Sequence, residues 1–116
     1  MGRLTTHILD TANGCPGATI SVSLYRIAES RELLTQTLSN SDGRCDKPLL
    51  EGESFSTGKY ELVFEIGDYY RKRGTALADP AFLDDVVIRF SIAHSEQHYH
   101  VPLLVSPYSY STYRGS

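Results

Sequence analysis

Apolar and polar side chains alternate with a period of two in stretch after stretch of this 116-residue chain, and turn residues cut each stretch short. Residues 4–10 begin the pattern and stop at Asn13-Gly14 and Pro16-Gly17. Within 18–27, Ile20, Val22 and Leu24 fall on one face and Ser21, Ser23 and Tyr25 on the other. A third strand over 33–39 closes at Asn40-Ser41-Asp42-Gly43, with a very short strand expected at 44–46. Over 59–66, Tyr60, Leu62, Phe64 and Ile66 share a face. Over 86–93, Val86, Ile88, Phe90 and Ile92 point inward and Arg89 outward. Residues 98–106 and 108–114 supply the last two strands, separated at Pro107. The one helical stretch is 68–73, ended by Gly74. Half-apolar strands must hide their apolar faces against one another. The expected fold is therefore all-β, a two-sheet β-sandwich of about eight strands with one short helix, in a single domain spanning 1–116.

Charge and cysteine usage narrow the partners. The formal net charge is −3, against the basic face expected of a nucleic-acid binder. No run approaches the roughly 20 apolar residues that span a bilayer, so a membrane partner is not expected. Cys15 and Cys45 form no CxxC pair, and no second pair completes a four-ligand metal site. The N-terminus has no apolar secretory core, so the expected state is two reduced thiols in a cytoplasmic protein. Gly2 and Thr6 match a loose myristoylation pattern, set aside because 4–10 already reads as strand.

The strand period also says what surrounds the histidines. Thr5, His7 and Leu9 share one face of the first strand. His98, His100, Pro102 and Leu104 share another, opposite the core face of Tyr99, Val101, Leu103 and Val105. His-x-His on a strand aims both imidazoles the same way, so a metal site completed by His7 is one reading, although no carboxylate or cysteine accompanies the pair. An outward histidine on a strand is otherwise an ordinary surface residue. The residue pattern alone ends there, at a polar face on a small sandwich.

Two longer segments are more specific. The first is Leu4-Thr5-Thr6-His7-Ile8-Leu9-Asp10 followed by Gly14-Cys15-Pro16-Gly17; the second runs from His98 through Val101-Pro102-Leu103-Leu104 and Ser106-Pro107-Tyr108-Ser109-Tyr110-Ser111-Thr112 to Tyr113-Arg114-Gly115-Ser116. Together they resemble the transthyretin-related family, and within it the branch of the 5-hydroxyisourate hydrolases, whose mark is the closing Tyr-Arg-Gly-Ser. The resemblance covers essentially the whole chain. It implies a catalytic histidine at His7, an arginine after the Asp-Gly turn at Arg44, a second histidine at His100, and a closing segment Tyr113, Arg114, Gly115 and Ser116. His98 is kept as a secondary member because it shares the face of His100.

The resemblance further implies the small-molecule substrate 5-hydroxyisourate, no metal or organic cofactor, and a homotetramer with sites at its dimer–dimer interface. Histidine suits water activation, with an ordinary pKa of about 6.5. Arginine suits polarisation of a substrate oxygen, because its planar fork keeps its charge. Ser116 would add a hydroxyl and a terminal carboxylate, and Tyr113 a contact to the planar heterocycle. The competing expectation is a non-catalytic, transthyretin-like carrier that holds an aromatic ligand in a tetramer channel. Such a carrier has no need to keep His7, Arg44, His100 and the closing tetrapeptide together.

Overall fold

The computed structural model describes residues 2–115. Its strands are β1 (Arg3–Thr5), β2 (Ile8–Asp10), β3 (Cys15–Pro16), β4 (Ser21–Ile27), β5 (Arg31–Leu38), β6 (Leu50–Glu51), β7 (Gly58–Phe64), β8 (Val86–Ile92), β9 (Tyr99–His100), β10 (Leu103–Val105) and β11 (Tyr110–Thr112). A 3-10 turn occupies Gly52–Ser54, and the helix α1 covers Ile66–Lys72.

One sheet is antiparallel in the order β5-β4-β7-β8, with the β4-β5 and β7-β8 hairpins joined side by side through β4 and β7. The other is assembled from two ladders, β6-β1-β9 and β11-β10-β2-β3. These ladders are halves of one sheet. β1 pairs with β9 and β2 with β10, both in parallel and both with the same offset of 95 residues (Leu4 opposite Tyr99, Ile8 opposite Leu103). Between the halves the Val101 N–H donates to the Thr5 carbonyl and the Leu103 N–H to the His7 carbonyl, each at 2.9 Å. Pro102, between them, turns its backbone the other way, and its carbonyl accepts from the Thr112 hydroxyl of β11 at 2.7 Å. Where the regular ladder lapses at residues 6–7 and 101–102, the Thr6 hydroxyl donates to the buried Val101 carbonyl at 2.6 Å and satisfies it.

The alternating faces meet as expected. Ile20, Val22, Leu24, Tyr60, Leu62, Phe64, Val86, Ile88 and Ile92 come from the antiparallel sheet, while Leu4, Ile8, Tyr99, Val101, Leu103 and Val105 come from the other sheet. Burying one such aliphatic side chain is worth about 1.5–3 kcal/mol, so the shared core holds the two sheets together. Helix α1 closes one end with Ile66, Tyr69 and Tyr70, and the two tyrosine hydroxyls each donate at 2.7 Å to the carboxylate of buried Asp10.

Several boundaries differ from the sequence expectation. The strands expected at 4–10 and 98–106 are each broken, at residues 6–7 and 101–102. Pro102 is buried instead of sharing the outward face of His98 and His100. The helix starts at Ile66 rather than residue 68, so Ile66 leaves the strand pattern and packs as a helical residue. Residues 44–46 form no strand, only an isolated bridge from Arg44 to His7. The third strand begins at Arg31, and β3 and β6 were not expected. Among the described residues no helix is long and apolar enough to cross a membrane, and Cys15 and Cys45 are free.

Candidate active site

The parallel pairing of β1 with β9 sets Thr5 directly opposite His100, on the outward face of the sheet. The Thr5 hydroxyl lies 2.9 Å from His100 Nδ1, which orients the ring and leaves Nε2 free for chemistry. His7 follows two residues later on the same face. Its Nε2 sits 2.8 Å from the Asp42 carbonyl. A carbonyl can only accept, so Nε2 carries the proton, and the lone pair of a neutral His7 is on Nδ1.

Arg44 reaches this face through the Asp42-Gly43 turn. Gly43 has φ +78°, and a Cβ there would stand 2.3 Å from the Ile8 carbonyl oxygen. Only glycine lets the turn come this close while the Ile8 N–H donates to the Gly43 carbonyl at 2.8 Å. The turn thus lays Arg44 beside His7 in an antiparallel bridge.

The C-terminal segment closes the third side. Gly115 bridges His100, its N–H donating to the His100 carbonyl at 2.7 Å. A Cβ on Gly115 would lie 2.9 Å from Cδ2 of the imidazole, so the backbone rests directly on the ring. His100 is held below the ordinary imidazole pKa, first by burial, then by the positive charge of Arg44 and by His7. All three influences disfavour the imidazolium, so His100 is neutral at neutral pH.

His7, Arg44, His100 and Gly115 are therefore brought together. Arg114 is not. Its Nη2 donates to the His98 carbonyl at 2.9 Å and to Gln97 Oε1 at 3.1 Å, and its guanidinium lies 4.2 Å from the centre of the Tyr99 ring. Tyr99 belongs to the core face, so Arg114 clasps the side of β9 away from His100. Tyr113 and the His98 side chain are exposed, and Ser116 lies outside the described residues. Among the described residues, no three His, Cys, Asp or Glu side chains are grouped to hold a metal ion, so His7, His98 and His100 do not assemble as a ligand set.

A profile of the HIUase/Transthyretin family matches residues 4–115. The chain belongs to the HIUase/transthyretin family. A 5-hydroxyisourate hydrolase of Pseudomonas aeruginosa is 64% identical over 117 residues, covering 100% of this chain and 93% of the relative. The solved structure of Klebsiella pneumoniae 5-hydroxyisourate hydrolase superposes with a TM-score of 0.83 at 33% identity, covering both chains fully. Sea bream transthyretin in complex with thyroxine shares the fold alone, with a TM-score of 0.87 at 22% identity over 97% of this chain and 94% of that one.

Membership of the HIUase/transthyretin family accounts for both ends of the chain meeting on one sheet. It does not by itself point to Thr5. That residue was visible on the His7 face from the strand period, but its partner could be found only once the parallel register with His100 was known.

Proposed function

We propose that this member of the HIUase/transthyretin family hydrolyses 5-hydroxyisourate in urate catabolism, with His7, Arg44 and His100 carrying the chemistry. The observation that supports this most is the convergence of two histidines and an arginine on one sheet face, with the arginine's charge reaching the half-buried imidazole of His100.

The reaction adds water to a ring acyl carbon and breaks the ring C–N bond, opening the six-membered ring to 2-oxo-4-hydroxy-4-carboxy-5-ureidoimidazoline. Nδ1 of His7 and Nε2 of His100 are the two imidazole positions left free by the hydrogen bonds to Asp42 and Thr5. One takes the proton of the attacking water and the other returns a proton to the departing nitrogen. Arg44 polarises the acyl oxygen and holds the negative charge that develops there. Gly115 packs against His100, and Arg114 anchors the closing segment on Tyr99 and the His98 carbonyl so that this contact persists. Tyr113 contacts the planar substrate, Ser116 adds its hydroxyl, and His98 borders the site.

The reaction needs no metal or organic cofactor under this reading. We further propose a cytoplasmic homotetramer whose dimer–dimer interface covers the outward sheet face. That face carries the site. The test is a spectrophotometric assay on 5-hydroxyisourate generated freshly from urate and urate oxidase, read against its spontaneous decay. His7→Ala, Arg44→Ala and His100→Ala each lose about 10²-fold or more in kcat/KM. Near-native rates in all three variants would remove the site. Loss of activity on chelation, restored by zinc, would overturn the metal-free reading.

A further inference from the structure

A recess of about 200 Å³ opens beside the proposed site, lined by Arg3, Thr5, Thr6, Arg44, Cys45 and Lys47. Two of its walls are shared with the site: the Thr5 hydroxyl touches His100, and Arg44 bridges His7. Three of the six lining side chains are cations. Among the described residues none of the three closes an ion pair. Glu51 stands opposite Arg3 in the β1–β6 register without forming one, and Asp46 accepts instead from Asn40 Nδ2 at 3.0 Å. In a chain of net charge −3, this is a local concentration of positive charge left without its own counter-charge.

Ring opening creates the matching group. When water adds and the C–N bond breaks, the departing nitrogen takes one proton and the acyl carbon becomes a carboxylic acid. At neutral pH that acid gives its proton to solvent or a neighbouring base and becomes an anion the substrate's ring did not carry at that carbon. We infer that Arg3 and Lys47 form, together with Arg44, a carboxylate subsite that receives the acid group released by ring opening. The inference rests on His7, Arg44 and His100 being the reacting site. The guanidinium forks of Arg3 and Arg44 bind a carboxylate in two-point fashion, and Lys47 adds a point charge. Drawing the new carboxylate aside into the recess separates it from the ring nitrogen it has just left.

The experiment compares wild type with the Arg3→Met/Lys47→Met double variant, which removes both charges and keeps the apolar stems. Product inhibition is measured with the enzymatically ring-opened compound and KM with fresh 5-hydroxyisourate. The product inhibition constant rises about tenfold or more, whereas KM rises only about twofold. Added salt weakens product inhibition in wild type more than in the variant. If the double variant does not fold, Lys47→Met alone gives the same split with a rise of about threefold in the inhibition constant. An unchanged inhibition constant overturns the subsite, and so does a KM that rises in step with it, because the recess would then hold the intact ring. Arg44→Ala separates the two ideas. Full activity in that variant removes the reacting site itself, while an inactive Arg44→Ala with unaltered product inhibition in the double variant removes the subsite alone.

Discussion

His7 and Asp10 stand three residues apart on one kinked strand, yet they face opposite sides of the same sheet. Asp10 points inward with its side chain fully buried, and its carboxylate is saturated. Tyr69 and Tyr70 donate to it at 2.7 Å, Asn13 Nδ2 also at 2.7 Å, and the backbone N–H groups of Ala12 and Asn13 at 3.1 and 3.2 Å. Burial alone would raise its pKa, but the bonds from Asn13, Tyr69 and Tyr70 outweigh burial and hold it below the usual carboxylate value. On the outward face His7 makes one side-chain hydrogen bond, to a carbonyl, and His100 one, to a hydroxyl. Burial there meets no compensating negative charge, and Arg44 adds a positive one, so His100 is pushed towards neutrality. A buried ionised group whose every acceptor site is filled serves the fold. Groups left with a free lone pair beside an uncompensated cation are available for chemistry.

Substitutions can break this contrast. The largest effect belongs to the outward face: the alanine variants of His7, Arg44 and His100 lose their 10²-fold or more in rate while Tm moves by no more than about 4 °C. If thermal stability fell as far as activity, the division between faces would be lost. Asp10→Asn inverts the pattern. An amide nitrogen cannot accept from Tyr69, Tyr70 or Asn13, so denaturant unfolding followed by circular dichroism shows a loss of about 2–3 kcal/mol, and the folded fraction retains near-native specific activity.

The sign of the pH effect follows from the lowered pKa of Asp10. Its contribution is complete above the ordinary carboxylate value of 3.8 and disappears as pH falls through the lower folded value. Asp10→Asn therefore lacks this part of the acid dependence.

Gly115→Ala sharpens the contrast at smaller amplitude. Its Cβ displaces the His100 ring, and kcat falls about tenfold with little change in Tm. Thr5→Val is the mildest. It releases Nδ1 of His100 and slows turnover by about threefold. In the wild type, an acid limb of the kcat/KM profile below the ordinary imidazole value of 6.5 assigns His100 as the base that takes the proton of water, because its pKa is lowered. An acid limb above that value gives the base role to His7 and leaves His100 to return the proton to the departing nitrogen.

The faces of the sheet were legible because the strand period survives the kink. Leu4, Thr6, Ile8 and Asp10 are buried in alternation with partly or fully exposed neighbours, as the pattern requires. The kink itself was not legible, since nothing local says that residues 101 and 103 will bond to the carbonyls of residues 5 and 7. Ile66 fits both the period of the preceding strand and the first turn of a helix, and the packing of Tyr69 and Tyr70 decides in favour of the helix. Arg114 was grouped with the site by its motif. Strand alternation places it on the other face once Gly115 is seen to bridge His100.

The constant 95-residue offset also governs when the protein can begin to work. Parallel partners so far apart in sequence cannot meet through a hairpin, and the entropy of closing so long a loop must be met before their contacts repay it. The hairpins β4-β5 and β7-β8 pair partners closer in sequence as the chain emerges from the ribosome, whereas β1, which also pairs with β6, cannot complete its parallel ladder until β9 is synthesised. The proposed site, which needs His100 and Gly115 beside His7, is therefore complete only once the C-terminal segment has joined this sheet.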